Sequence, residues 1–132
     1  MNEMNELDDK LRALLNVFWL RPETAMWRAI DINAMNSFDF ISPSLDLGCG
    51  DGVFSFIRAG GLFSIDFDVY KTVGALDKFF ENADVFDAAD NSPSPNVEQY
   101  PSYKIDVGFD HKKNLLSKAG KLPLYRKLVE EK

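Results

Sequence analysis

Eight consecutive residues restrict the fold more than any others: Leu45-Asp46-Leu47-Gly48-Cys49-Gly50-Asp51-Gly52. A short apolar strand runs directly into three glycines spaced two apart. Val53 to Ala59 then reads as a short helix, stopped by Gly60-Gly61. Glycine has no Cβ, so such a loop can turn tightly and let a ligand approach the backbone to hydrogen-bonding distance. Free amides at the start of the following helix would favour a negatively charged group such as a carboxylate or phosphate. The dinucleotide-binding pattern is G-x-G-x-x-G. Here the third glycine is Gly52, and Val53 stands where that pattern needs glycine. The departure argues against a nicotinamide- or flavin-dependent oxidoreductase. The plain alternative is a glycine-rich turn that holds no ligand.

The rest of the chain places this loop in an α/β sheet. Leu7, Leu11, Leu14, Leu15 and Phe18 recur at helical spacing and predict a helix over about 5–19. Arg21-Pro22-Glu23 breaks it and starts a second helix over about 22–35, with Met26, Ala29, Ile30 and Ala34 turned inward. Residues 62–67 read as a strand or an irregular link. Val69, Val73, Leu76 and Phe80 form a helical stripe, and 84–101, rich in Pro, Asp, Asn and Ser, reads as an exposed loop. A second sheet strand is expected at Tyr103 to Val107. Asp110 would then cap a helix whose inner face is Leu115, Leu116, Ala119 and Leu122, and a third strand follows at Leu124 to Val129.

Composition narrows the function. A formal charge of −6 opposes nucleic-acid binding through phosphate neutralisation. A small or neutral substrate fits better. The N-terminus is acidic, and no apolar run approaches the length needed to cross a bilayer. Cys49 is the one cysteine in the chain, so no internal disulfide is possible, which fits a reducing, cytoplasmic setting. Nothing in the Cys and His spacing suggests a metal site. His111, the one histidine, reads as an exposed first-turn residue. Trp19, Trp27 and Arg28 suit either helix packing or contact with a substrate, and packing is the simpler reading.

The segment LDLGCGDG resembles motif I of the class I S-adenosylmethionine-dependent methyltransferases, all of whose fixed positions it matches. The stretch IDVGFDHKKNLLSKA resembles a bacterial subgroup with an insertion before its second strand. The resemblance implies a doubly wound, Rossmann-like α/β sheet. It would comprise an N-terminal two-helix extension (1–40) and a partial cofactor-binding domain (41–132), with the insertion at about 62–101. It implies transfer of the sulfonium methyl to a small acceptor, with S-adenosylmethionine as cofactor and Asp46, Gly48, Cys49, Gly50 and Gly52 around it. A strand-end carboxylate would hold the ribose hydroxyls. Asp106 is preferred for that role and Asp66 is the competitor. No catalytic residue is implied. Sheets of this family have further strands, so the chain reads as an N-terminal portion of an enzyme, truncated after its third strand and inactive by itself. A homo-oligomer that covers the open edge of the first strand is expected. The rival function is a noncatalytic nucleoside-binding or assembly module.

Overall fold

A computed structural model describes residues 3–64 and 95–131. The expectations for Asp66 and for the stripe from Val69 to Phe80 lie outside these residues. The described elements, in chain order, are α1 (Glu3–Val17), α2 (Pro22–Met35), β1 (Leu45–Leu47), α3 (Val53–Arg58), β2 (Leu62–Phe63), β3 (Val97–Gln99), β4 (Ile105–Asp110), α4 (Lys113–Ala119) and β5 (Tyr125–Glu130). The protein is mixed α/β. Its main sheet has three parallel strands in the order β1-β4-β5, beside a separate antiparallel pair, β2-β3.

The leucine stripe of α1 folds as its spacing requires. Leu14 and Val17 are fully buried, with Leu7, Leu11 and Leu15 packed against the same core. Pro22 opens α2, where its missing N–H costs no hydrogen bond. The inward face of α2 meets expectation at Ala29 and differs elsewhere. Ala25, Ala29 and Ile32 are buried, whereas Met26 and Ile30 are nearly half exposed and Ala34 faces outward. Two stripes at helical spacing lie side by side on this helix, and periodicity does not choose between them. Contact with α1 selects the row containing two alanines, whose small side chains allow close approach of the helices. Both helices share one core with Val53, Phe56 and Ile57 of α3 and with Ile105, Leu122 and Leu124.

Two other expectations change. The polar stretch before Pro101 is not all loop, because Val97–Gln99 pairs with Leu62–Phe63, and Ser64 N–H donates to Asn96 O at 2.8 Å. Phe63 anchors this pair by packing on Phe56, with ring centroids 4.6 Å apart. The strand expected to stop at Val107 continues through Gly108 to Asp110. Gly108 is not a turn residue here. A Cβ at this position would lie 2.8 Å from both Leu128 Cδ2 and the Tyr125 ring, so the side chains of β5 occupy that space. The extension places Phe109 opposite Leu47, and Asp110 one residue beyond, at the mouth of the glycine loop.

Candidate functional site

The glycine loop leaves the C-terminal end of β1 and bends over the end of β4. Gly48 and Cys49 N–H both donate to Phe109 O, at 2.8 and 3.0 Å. Gly48, Gly50 and Gly52 have φ of 70°, 58° and 80°, a left-handed conformation that a side chain resists. The three glycines nevertheless serve different ends. An ideal Cβ on Gly48 meets nothing within 4 Å, and one on Gly50 only grazes Leu115 Cδ1 at 4.0 Å. A Cβ on Gly52 would lie 2.9 Å from Tyr125 Cε2 and 3.2 Å from Leu122 Cδ1. Gly48 and Gly50 therefore border open space, whereas Gly52 lets α3 close onto the sheet.

Beneath the loop, Asp46 Oδ2 accepts hydrogen bonds from the Ser55 hydroxyl at 2.5 Å and the Tyr125 hydroxyl at 2.7 Å. This carboxylate ties β1 to α3 and to β5. Burial and the adjoining Asp46 carboxylate push the Tyr125 hydroxyl far above its ordinary value, so it stays a proton donor. Neither Ser55 nor Tyr125 was expected in the site, and neither carries a sequence signal beyond its residue type.

Beside the loop, the buried Asp110 accepts at Oδ2 from Gly50 N–H at 2.9 Å and at Oδ1 from Lys112 N–H at 2.8 Å. Burial by itself would raise this carboxyl. The N–H donors of Lys112 and Gly50, with His111 beside it, outweigh burial and hold its pKa below the usual carboxylate value. Asp110 was expected to cap α4. It instead takes the amide just before that helix and spends its other oxygen on the glycine loop. His111 has a side chain 69% exposed, with Nδ1 3.5 Å from Asp110 Oδ1.

Asp106 is not part of this cluster. It sits at the other end of β4, about 13 Å of extended strand from Asp110. There it accepts from Ser42 Oγ at 2.7 Å and Ser44 N at 2.9 Å, and it pairs with Arg126 at 3.4 Å. These donors, the Ser42 hydroxyl foremost, lower its pKa. Its work is to pin the segment leading into β1. The expectation for Asp106 followed from ending the strand too early, since a strand that stops at Val107 has Asp106 near its tip. Of the six residues expected to surround a cofactor, Asp46, Gly48, Cys49, Gly50 and Gly52 come together and Asp106 lies apart from them, while Asp110 bonds to the loop at Gly50 N–H.

The loop's donors are largely committed. Besides the two amides on Phe109, Gly52 N–H binds Cys49 O and Val53 N–H binds Asp51 Oδ1. Of the helix-start amides expected to favour an anion, that of Val53 is already taken by Asp51. The local field is negative instead. Burial first, then the charges of Asp46 and Asp110, push the Cys49 thiol up to about 11. Such a thiol is a neutral wall residue and a poor nucleophile at neutral pH. Burial likewise raises the Asp51 carboxyl, against the N–H of Val53 and the more distant charges of Lys118 and Arg28.

Arg28 reaches the site from α2, with its guanidinium 4.9 Å from the centre of the Phe54 ring in α3. Trp19 and Trp27 are 51% and 61% exposed, so core packing does not describe them. A cleft of about 1030 Å³ lies elsewhere, between α1 and the β2-β3 pair, and is lined by Lys10, Ile57, Gly60 and Phe63. Lys10 Nζ donates to Ile57 O there at 2.7 Å, and burial lowers its pKa. This cleft adjoins the far end of α3 and contributes nothing to the glycine loop. Among the described residues no group of three or more His, Cys, Asp or Glu is placed to hold a metal ion, and no helix is long and apolar enough to cross a membrane. Comparison with protein-family models, curated proteins and solved structures finds no match.

Proposed function

We propose that the glycine loop and Asp110 form the cofactor site of an S-adenosylmethionine-dependent methyltransferase with a doubly wound, Rossmann-like sheet, acting on a small acceptor. The observation that carries this reading is the junction of Gly50 N–H with the Asp110 carboxylate at 2.9 Å, where a left-handed glycine loop meets the end of the neighbouring parallel strand. Open space over Gly48 and Gly50 suits a ligand lying directly on the backbone. The chemistry of the surrounding groups also fits. Asp46 and Asp110 favour a ligand with cationic sulfonium and ammonium groups and hydroxyls over one with bare phosphates, which this field would repel.

Each residue then has a definite task. Asp110, kept ionised by its amide donors, accepts hydrogen bonds from the ribose hydroxyls with the lone pairs that Gly50 and Lys112 leave over. Asp46, held by Ser55 and Tyr125, keeps β1 and the loop in one geometry. Cys49, as a neutral thiol, lines the wall without competing for the methyl group. When bound, S-adenosylmethionine supplies an electrophilic methyl group, and the protein's contribution is to orient it toward the acceptor.

Isothermal titration with S-adenosylhomocysteine tests the assignment. The folded wild type should bind. Asp110→Asn should weaken binding about ten- to a hundred-fold, the loss of charge-assisted hydrogen bonds worth about 1.5–3 kcal/mol. Asp106→Asn should leave affinity unchanged. No heat of binding with the folded wild type at millimolar ligand would end the proposal. Sensitivity at Asp106 with none at Asp110 would return the site to the other end of the strand.

A further inference from the structure

Asp110 has a titratable neighbour with no task in holding the cofactor. His111 Nδ1 stands 3.5 Å from Asp110 Oδ1, its side chain 69% exposed against 8% for that of Asp110. A carboxylate offers about four lone-pair sites, two on each oxygen. Gly50 N–H takes one on Oδ2, and Lys112 N–H takes one on Oδ1. One then remains on each oxygen, which matches a pair of neighbouring hydroxyls. The site left on Oδ1 is the one that His111 adjoins.

We infer that His111 makes cofactor binding proton-sensitive: the imidazolium occupies Asp110 Oδ1, and the neutral imidazole yields that position to a ribose hydroxyl. This rests on the proposed cofactor site and names a regulator of it. The charged ring carries N–H on both nitrogens and is attracted to the carboxylate, so it holds Oδ1. The neutral ring has one proton, and with that proton on Nε2 it leaves Oδ1 free. Asp110 itself does not follow the same change. Burial, which would raise its pKa, is outweighed by the Lys112 and Gly50 amides, so it stays ionised. The charged groups around the pair include Lys112 and Lys113 at the start of α4, Asp46 beneath the loop, and Glu130 and Glu131 at the end of β5. Glu130 is the ladder partner of Asp110, and Glu131 N–H donates to Asp110 O at 3.2 Å. The Cys49 thiol, pushed up to about 11 chiefly by burial, stays neutral. Of these residue types, imidazole is the one that ordinarily changes charge between pH 5 and 8. An ion pair with an exposed member shifts an equilibrium by up to about fivefold, which bounds the effect.

Isothermal titration of the full chain with S-adenosylhomocysteine at pH 7.5 and 5.5 reads this directly. Wild-type affinity should fall about two- to fivefold at the lower pH, with an unchanged circular dichroism spectrum. Titration at pH 6 in buffers of different ionisation enthalpy should show a fraction of a proton released per ligand bound. In His111→Gln the affinity should be the same at both pH values and the release absent. Lys113→Gln, which removes a charge from the same turn, should keep both. Wild-type binding that is equally strong at the two pH values, or His111→Gln binding as pH-dependent as the wild type, would overturn the inference and leave the cofactor site standing. Absence of binding at pH 7.5 would overturn the site and the inference with it.

Discussion

Gly48 and Gly52 share a left-handed φ but differ in surroundings, so the same substitution should have separable consequences at the two positions. Alanine in this region of backbone space costs about 1–2 kcal/mol whatever its neighbours. At Gly48 that is the whole expected loss, because a Cβ meets nothing within 4 Å. At Gly52 the Cβ would press on Tyr125 Cε2 at 2.9 Å and Leu122 Cδ1 at 3.2 Å. Overpacking of that kind adds about 1–3 kcal/mol. Gly52→Ala should therefore lose about 2–5 kcal/mol, a large share of the stability of an ordinary domain, and Gly48→Ala about 1–2 kcal/mol. Urea unfolding followed by circular dichroism reads both, with the slope held common so that the midpoints report stability. The Tyr125→Leu background sharpens the test. Removing the ring should recover about 1 kcal/mol or more of the Gly52→Ala loss and none of the Gly48→Ala loss. Ligand affinity should show the reverse order, with Gly48→Ala the more damaging to S-adenosylhomocysteine binding in proportion to its effect on folding. Equal destabilisation at the two glycines, or no coupling between Gly52 and Tyr125, would refute the assignment of Gly52 to packing and Gly48 to the ligand.

Three further outcomes follow from the site. Alkylation of Cys49 by iodoacetamide at pH 8 should run about a hundredfold slower than that of an ordinary thiol and still be rising at pH 10, since the thiol titrates at about 11; a plateau by pH 9 would contradict the burial and the negative field. Asp110 has a lowered folded pKa, so its stabilisation is complete above the ordinary carboxylate value near 4 and disappears as pH falls through the folded value. Urea midpoints measured from pH 6 to 2 should thus fall more steeply in the wild type than in Asp110→Asn, and parallel curves would show that the carboxylate has no net favourable partners. Tyr125→Phe removes one of two donors to Asp46 and should cost about 1–2 kcal/mol, whereas a loss under 0.5 kcal/mol would mean that Ser55 alone holds the carboxylate.

Much of the local structure was legible because its causes are local. The leucine spacing of α1, Pro22 at the start of α2 and the strand-glycine-helix order from Leu45 to Arg58 each act over a few residues, and each element is found where its signal lies. The face of α2 was not legible. Around Ala29, which was expected inside, Ala25 and Ile32 compete with Met26, Ile30 and Ala34, and the deciding term is the shape of α1, a partner the helix's own sequence does not contain. β3 was hidden for a similar reason. Val97 to Gln99 has little strand character in its polar surroundings and becomes a strand by pairing with Leu62 and Phe63, some 35 residues earlier in the chain.

The placement of Asp106 and Asp110 at opposite ends of β4 shows how a remote contact sets the length of a strand. Gly108 reads locally as the end of a strand, because glycine weakens strands and favours turns. Tyr125 and Leu128 reverse that preference, since their side chains fill the volume that a Cβ at 108 would need. With Gly108 inside the strand, β4 gains the length to carry Asp110 to the level of Gly50, while Asp106 stays level with Ser44. The same Tyr125 ring also bears on Gly52, and its hydroxyl reaches Asp46. One side chain on β5 thereby sets the packing of two glycines and the orientation of one carboxylate, so substitutions at Gly52, Gly108 and Tyr125 should be strongly non-additive, whereas a substitution at Asp106 should add independently to any of them.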